Sequence, residues 1–398
     1  MTRFALLLLL LLPLRAAAQV DDEKRRLLQF GYEQPLAGPA PFSGYAFFYF
    51  NQPDLVRKGD ALRVAAAPLY MDGEYGLSGA LGPDTDLGIG LSGGGFAQSH
   101  SEIRGGRLYR DESFTGHGGG ASLSLYHLFN RGERIPLTGT LRAGVQHATY
   151  EPQRETDPRF ELPLSHTTLL ARGGLRYGGE EPLMDPLEAL EVSGWYEGRV
   201  RDRSDPYGFS DERALRTASH FAWGRALLTY TPKETGRRTH AGVTAGGSLN
   251  ADRLDAYALG GLLPMSAEFP LELPGYYAHE LSARHFVLLD ARYCVPLDER
   301  RLFSASVFGA SALVDYVPGM EQPGRTHTGL GAGLEFTAPE RDWSAALNYG
   351  YGVDALRSGR RGAHSLAFTL QYDFEAAPEK PTAPARAGQP QGLRWFRR

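Results

Sequence analysis

Two short motifs in the first third of the chain have the residue types of a serine hydrolase. Residues 90–94, GLSGG, match the elbow that presents a nucleophilic serine, and residues 117–120, HGGG, match a loop that supplies oxyanion N–H groups. The elbow requires a strand, a sharp turn and a helix in succession. Ser92 instead lies in a glycine-rich segment with no helical pattern after it. We therefore predict that the chain is not an enzyme, and lipid hydrolysis stays only as a minor alternative.

The other reactive side chains do not form a recognisable site. The 11 histidines show no metal-ligand spacing, so we predict no metal and no cofactor, and we expect His327 to be a wall residue. The single cysteine, Cys294, cannot form an internal disulfide. With 42 basic and 46 acidic residues the chain has no basic surplus, so we predict no nucleic-acid partner.

The N-terminus has the pattern of an export signal. A basic start with Arg3 precedes an apolar run of 11 residues, from Phe4 to Leu14, which Pro13 interrupts, and small residues follow up to Ala18. A membrane anchor is the alternative, but it needs a longer apolar run. We predict a signal peptide over residues 1–18 and a short periplasmic segment over residues 19–43.

The structural element of the remaining chain is clearest near its end, in residues 362–374, GAHSLAFTLQYDF. In this stretch large apolar side chains alternate with small or polar ones, so an extended strand places the two kinds on opposite faces. The large residues are Leu366, Phe368, Leu370, Tyr372 and Phe374, preceded by His364.

Alternating segments of about ten residues recur along the chain, and the turns between them are alternately short and long, which is the signature of an outer-membrane β-barrel. A secreted soluble β-protein is the alternative, and the export signal together with the turn rhythm favours the barrel. We predict an all-β antiparallel transmembrane barrel over residues 44–374, with about 14–16 strands, in the bacterial outer membrane. Charged side chains opposite the apolar faces would line the lumen: Arg142, Arg172, Arg176, Glu191, Glu197, Asp290 and Arg292. We expect Trp195, Trp223 and Trp343 to lie in interfacial girdles.

Residues 259–297 carry a more specific pattern. Pro274-Gly275-Tyr276 precedes a strand that ends Tyr293-Cys294-Val295-Pro296-Leu297, and the following strand contains Leu313-Val314-Asp315-Tyr316. Five strands are predicted after the first motif. This arrangement resembles the C-terminal part of the Omp85 superfamily, the D15-like bacterial surface antigen barrels. The resemblance favours 16 strands and implies that Phe374 ends the barrel. It also implies that Asp315 faces the lumen and that the terminal assembly signal consists of Leu366, Phe368, Leu370, Tyr372 and Phe374.

The resemblance also implies that the segment over residues 262–280 folds back into the barrel as a lumen loop. Its side chains Phe269, Leu271, Leu273, Tyr276 and Tyr277 are apolar for a solvated loop, although an exposed loop is the alternative. Pro274 replaces the arginine of the family motif, so that arginine's contact with an inward aspartate cannot form. We expect a barrel that lacks the POTRA domains of the family, because few residues precede the first predicted strand. Residues 375–398 are rich in proline and alanine and are predicted to be disordered.

For function, the resemblance implies translocation or assembly of protein or lipid across the outer membrane. A passive or selective channel for small solutes is the alternative. The implied partners are outer-membrane lipid, the barrel assembly machinery and a periplasmic partner protein.

Overall fold

The computed structural model describes residues 24–180, 183–184, 186–264 and 270–376. The predicted signal peptide, Phe269 and nearly all of the predicted disordered tail lie outside these residues. The strands are β1 Arg25–Pro35, β2 Ser43–Pro53, β3 Ala61–Ala66, β4 Tyr70–Leu77, β5 Thr85–Gly94, β6 His100–Arg104, β7 Arg107–Leu128, β8 Leu137–Pro152, β9 His166–Gly179, β10 Ala189–Arg201, β11 Ala218–Tyr230, β12 Arg238–Leu249, β13 Tyr257–Leu259, β14 Leu281–Pro296, β15 Phe303–Tyr316, β16 Thr326–Thr337, β17 Trp343–Arg357 and β18 Arg360–Asp373.

These 18 strands form one antiparallel sheet that closes on itself. Two of them, β6 and β13, are short additions at the ends of the ring, and the other sixteen form the barrel wall. The seam joins the first strand to the last through a register that runs from Leu27↔Asp373 to Pro35↔Ser365. Closure satisfies the backbone groups that a free edge would leave unpaired in lipid. The predicted all-β barrel and its favoured strand number are confirmed.

The first wall strand lies where we expected a periplasmic segment. Strand β1 occupies Arg25–Pro35, so the barrel begins well before residue 44. Its side chains alternate as in the other strands: Phe30 is 39% exposed on the outer face, whereas Gln29 and Glu33 are buried on the inner face. The proline- and glycine-rich composition belongs only to the loop after it. The expected boundary was wrong because polar inward residues made this strand look like a solvated segment.

The outer face of the wall is apolar and the inner face is packed or charged. In β18, for example, Leu366 and Phe368 are exposed, whereas Ser365 and Ala367 are fully buried. Such a surface suits lipid outside and a filled lumen inside. Among the described residues, no helix is long and apolar enough to cross a membrane.

The segment between β5 and β7 is a hairpin, although the polar sequence of residues 97–117 is typical of a loop. It consists of β6 and the first half of β7, and it folds across the long-loop end of the barrel. Ile103 and Leu108 are buried against Tyr277 of the lumen loop. At its tip, Gly106 packs closely against the backbone of Leu356 in wall strand β17. We call residues 98–117 the lid.

Candidate functional site: a loop docked inside the barrel

The segment between β13 and β14 enters the barrel and packs against its wall. We call residues 260–280 the lumen loop, of which 265–269 lie outside the described residues. Leu273 and Tyr277 are fully buried, and Leu271 and Tyr276 are nearly so. Leu271, Leu273 and Tyr276 join a hydrophobic cluster with wall residues of β14, β15, β17 and β18, whereas Tyr277 packs against Ile103 and Leu108 of the lid. This packing removes from water the apolar side chains that made the segment unsuited to a solvated loop.

The tip of the lumen loop rests on wall positions that have no side chain. A Cβ on Gly329 of β16 would lie 2.3 Å from the carbonyl oxygen of Pro274, and one on Gly350 of β17 would lie 2.7 Å from the amide nitrogen of Gly275. Gly275 itself has a φ of 81°, in the left-handed region that favours glycine. We call Gly329, Gly350 and Gly352 the glycine seat, because the loop backbone approaches the wall backbone there. Gly329 is one of three alternating glycines in residues 329–333, and it forms part of this docking surface.

Two hydrogen bonds to one histidine fix the aromatic residue of the motif. The Tyr276 hydroxyl lies 3.1 Å from Nδ1 of His327, and the Tyr316 hydroxyl hydrogen-bonds Nε2 of the same ring. His327 is only 2% exposed, so it is a wall residue in contact with the loop. A buried polar group that loses its partner is costly, so this contact specifies the position of Tyr276.

A buried ion pair ties the base of the loop to the wall. The Arg357 guanidinium donates to both carboxylate oxygens of Glu280 at 2.9 and 2.8 Å, and the two side chains are 4% and 1% exposed. The same guanidinium lies 3.4 Å above the ring centre of Tyr277. In the family motif the loop supplies the arginine, whereas here the loop supplies the carboxylate and the wall the guanidinium. The sequence does not indicate this pair, because Arg357 directly precedes the turn residues Ser358 and Gly359 and resembles a solvated turn residue.

The buried carboxylate of Glu102 holds the lid in place through contacts with basic side chains. Glu102 is fully buried, and its oxygens lie 2.5 Å from Nη1 of Arg253 and 3.3 Å from Nη1 of Arg213. His100 hydrogen-bonds it at 2.9 Å. Burial alone would raise the pKa of this carboxyl, but the histidine and the two guanidinium groups outweigh it and hold the pKa below its usual range. Arg213 also pairs with Glu112 of the lid.

Below the lumen loop, a cavity of ≈ 1020 Å³ fills the rest of the barrel. Of the eight residues predicted to face the lumen, seven line it: Arg142, Arg172, Arg176, Glu191, Glu197, Asp290 and Arg292. They pair across strands, for example Arg172 with Glu197 at 2.6 Å and Arg142 with Glu74 at 3.0 Å. The cavity lining as a whole contains eight arginines and eight carboxylates, so its formal charges balance.

Asp315 does not face the lumen, contrary to our prediction. It pairs with His285 in the sheet and shares the outer face with Leu313, which is 56% exposed, whereas Val314 and Tyr316 point inward and are buried. Its carboxylate accepts from Arg284 at 2.8 Å and contacts His285 at 3.0 Å. The prediction failed because it followed the resemblance to the family motif, whereas strand alternation groups Asp315 with the outward Leu313.

Trp195 and Trp223 also lie on the other face from the one predicted. Both line the cavity rather than an interfacial girdle, and their rings stack with centroids 6.3 Å apart. The guanidinium of Arg176 lies 5.3 Å from the ring centre of Trp195, and that of Arg172 lies 5.4 Å from Trp223. Alternation could have identified them, because Trp195 shares its parity with the inward Glu191 and Glu197. Trp343 is outward and 37% exposed, as expected for a girdle.

The remaining predicted residues are placed as follows. Leu366, Phe368 and Phe374 are exposed on the outer face along the last strand, β18, and just after it. Leu370 and Tyr372 lie on the same face and are half-buried. Ser92 of β5 pairs with Asp72 of β4, which lines the cavity, so Ser92 is on the inner face. His117 of β7 is on the outer face, because it is an odd number of residues from the inward Tyr126. The two hydrolase-like motifs therefore do not place a serine and a histidine together. Among the described residues, no cluster of three or more histidine, cysteine or acidic side chains could hold a metal ion.

No family model matches this chain, and no curated protein matches it. Solved structures do match. CdiB from Acinetobacter baumannii is 12% identical with a TM-score of 0.55, covering 90% of this chain and 65% of that one. BamA from Haemophilus ducreyi lacking POTRA domains 1-3 is 11% identical with a TM-score of 0.57, covering 91% and 75%. CdiB from Escherichia coli is 12% identical with a TM-score of 0.56, covering 87% and 63%.

This chain thus spans slightly less than two thirds of the CdiB chains. Such low identities establish the fold alone. The predicted resemblance to Omp85 barrels is confirmed at the level of the fold: this bacterial outer-membrane barrel of sixteen wall strands has a fold similar to those of CdiB and BamA.

Proposed function

We propose that this chain is a gated outer-membrane barrel that translocates or assembles protein or lipid at the outer membrane, as the likeness to Omp85 barrels implies. The observation that supports this proposal most is the docked lumen loop. Pro274-Gly275-Tyr276 sits on the glycine seat, and the Glu280–Arg357 pair holds the loop base. A lumen loop that closes the barrel and is bound to the wall through specific contacts suits gated passage better than steady diffusion.

A passive or selective channel is the second candidate. The cavity of ≈ 1020 Å³ with its charged lining favours it, because solutes need a wet, polar path. Against it stand the two closures, since the lumen loop and the lid both cross the path. We propose no catalytic role for the chain.

Single-channel conductance in planar bilayers separates the two candidates. We expect the intact barrel to be nearly closed and a variant lacking residues 267–277 to form a large, stable pore. Steady conductance of the intact barrel, unchanged by the deletion, would favour the channel and contradict gating. Deleting residues 55–59, an exposed turn between β2 and β3, is a control for the loss of a loop elsewhere.

Translocation or assembly is tested in the bacterium that carries the gene. Removal of the gene should change the amount of specific proteins or lipids in the outer membrane, and wild-type protein should restore them. Restoration should fail with a loop-deleted barrel that still inserts. An unchanged envelope composition would contradict the proposal. The proposed partners are outer-membrane lipid, the assembly machinery that would recognise the outward aromatic end of β18, and a periplasmic partner protein.

A further inference from the structure

One section of the barrel wall is shorter than the membrane it must cross. Strand β3, Ala61–Ala66, has 6 residues and β4, Tyr70–Leu77, has 8, whereas β8 has 16. With about 3.4 Å per residue and a tilt of about 40°, six residues rise only about 16 Å of an apolar band about 25 Å tall. The β3–β4 hairpin therefore ends within the outer half of the band.

The short hairpin leaves part of β2 with a neighbour on one side only. Strand β2 pairs with β1 along a register from Arg25↔Asn51 to Glu33↔Ser43. Its pairing with β3 stops at Phe48↔Ala66, because the next residue, Ala67, turns back towards Tyr70. Within the described part of the chain, no backbone hydrogen bond joins residues 43–47 to any segment besides β1.

The space beside this edge is open to the lumen. On its far side β4 and β5 end together at the pair Tyr70↔Gly94, and the lid leaves the wall above them. The cavity reaches this point, since its lining includes Tyr45 and Phe47 from the free part of β2, and Ala67 and Tyr70 from the hairpin. We call this opening, bounded by residues 43–47, the β3–β4 hairpin and the lid, the wall gap.

Backbone chemistry decides what can occupy the wall gap. Edge N–H and C=O groups at membrane depth must find hydrogen-bond partners, and an acyl chain has none to offer. An extended polypeptide offers both at the spacing of the sheet, which is how strands add to exposed sheet edges. The lumenal side chains beside the edge, Tyr45 and Phe47, give an added strand apolar rings to pack on.

We propose that residues 43–47 of β2 are a docking edge for one extended strand of a client polypeptide. This inference rests on the proposed function of translocation or assembly. It deepens that function by naming a polypeptide rather than a lipid as the substrate. The seam between β1 and β18 is not this edge, because its register is continuous from residue 27 to residue 35.

Site-directed disulfide formation tests the proposal on the purified full-length barrel in lipid nanodiscs. The barrel carries Cys294→Ser and Ala46→Cys, since Ala46 faces outward opposite the exposed Phe30. The probe is a synthetic peptide with the sequence of residues 362–374, a natural barrel strand, with one cysteine moved along successive positions. The matched control is Ala332→Cys, an outward alanine in β16 that is paired on both sides.

We expect a cross-link yield at Ala46→Cys at least ten times that at Ala332→Cys, with maxima at every second peptide position. Equal yields at the two sites, or yields independent of peptide register, would overturn the proposal. Far-ultraviolet circular dichroism of both variants excludes misfolding as the cause of a low yield.

Amide hydrogen exchange provides a second measurement without mutation. The amides of residues 44–47 that do not bond to β1 should exchange fast in nanodiscs alone and at least ten-fold slower with the peptide. Protection by lipid alone, with no further slowing by the peptide, would show that bilayer thinning satisfies the edge and would also overturn the proposal. Because neither measurement involves transport, a negative result here differs from an unchanged envelope composition, which would count against the proposed function.

Discussion

At the scale of single residues, the site depends on polar side chains that are buried and therefore need their partners. Glu280 and Arg357 are almost fully excluded from water, and each would be an uncompensated charge without the other. Neither stood out in the sequence, because a lone glutamate and a lone arginine near predicted turns are common on solvated surfaces. Because both side chains are buried, each charge depends on the other, and the pair holds the base of the lumen loop on the wall.

Replacing Arg357 by methionine should destabilise the barrel strongly. Loss of one partner of a buried pair typically costs about 3–5 kcal/mol, because the other charge stays buried. Urea unfolding in detergent, followed by tryptophan fluorescence, measures the change. Arg325→Met is the matched control, since that side chain is 73% exposed and should change the free energy of unfolding by no more than about 0.5 kcal/mol.

A double variant tests whether Glu280 and Arg357 act as a pair. Adding Glu280→Gln to Arg357→Met removes the stranded charge and should recover part of the lost stability. If the double variant is as unstable as the two single changes added together, the two residues do not act as a pair.

Acid should release the lid through Glu102. Because the pKa of this buried carboxyl is held below its ordinary value of 4.5, its ionised form stabilises the docked lid above that pH. The stabilisation is lost as the pH falls through the lowered pKa. Proteolysis of the lid by pepsin, normalised to an unstructured substrate at each pH, should therefore rise steeply below pH 4.5. Glu102→Gln should show that susceptibility already at pH 6, measured with papain, which is active at that pH. Equal protection of the variant and the wild type at pH 6 would contradict the role of Glu102.

At the scale of elements, the lumen loop and the glycine seat belong together. Strands β16 and β17 carry glycine where the lumen loop touches them. The loop can dock there only because these wall positions have no side chain. Alternation alone cannot reveal this, because a glycine on an inward face is compatible with an empty lumen. Only the three-dimensional approach of Pro274 to Gly329 explains it.

A single methyl group in the seat should loosen the loop. In Gly329→Ala the new Cβ would lie 2.3 Å from a backbone oxygen of the loop, so one of them must move. We expect frequent channel openings in planar bilayers, intermediate between wild type and the loop deletion. Gly194→Ala is the control, because a Cβ there meets nothing within 4 Å. Wild-type closure in Gly329→Ala would show that the seat does not hold the loop.

At the scale of the whole molecule, the lumen is electrically balanced. Eight arginines face eight carboxylates around the cavity, largely in cross-strand pairs. Such a lining keeps the lumen hydrated without a strong field of either sign. It suits passage or binding of molecules of varied charge better than selection of one ion.

The open barrel should therefore discriminate weakly between ions. In the loop-retaining Gly329→Ala variant, the reversal potential in a potassium chloride gradient should lie near zero. Desolvation inside the barrel raises the pKa of Glu272 to about 7, so this carboxyl gains its charge as the pH rises from 6 to 8. Selectivity should then shift slightly towards cations, and Glu272→Gln should abolish the shift. A strong preference for anions at pH 8 would contradict the balanced lining.

The sequence by itself determined the barrel. Strict alternation, as in residues 362–374, together with alternating short and long turns, leaves few other folds, because lipid outside and water inside impose opposite demands on the two faces of each strand. The same periodicity, applied strictly, would also have placed Trp195, Trp223 and Asp315 correctly. Motif residues around Pro274 indicated where the wall is interrupted by an inward loop.

Only the tertiary structure decided which groups meet across the lumen. The pairing of Glu280 with Arg357, the burial of Glu102 under Arg213 and Arg253, and the fit of Gly275 to the seat join residues that are far apart in the chain. Strand periodicity specifies a face but not a partner on the opposite wall. Those contacts depend on the closed ring, whose register and diameter are properties of all sixteen strands together.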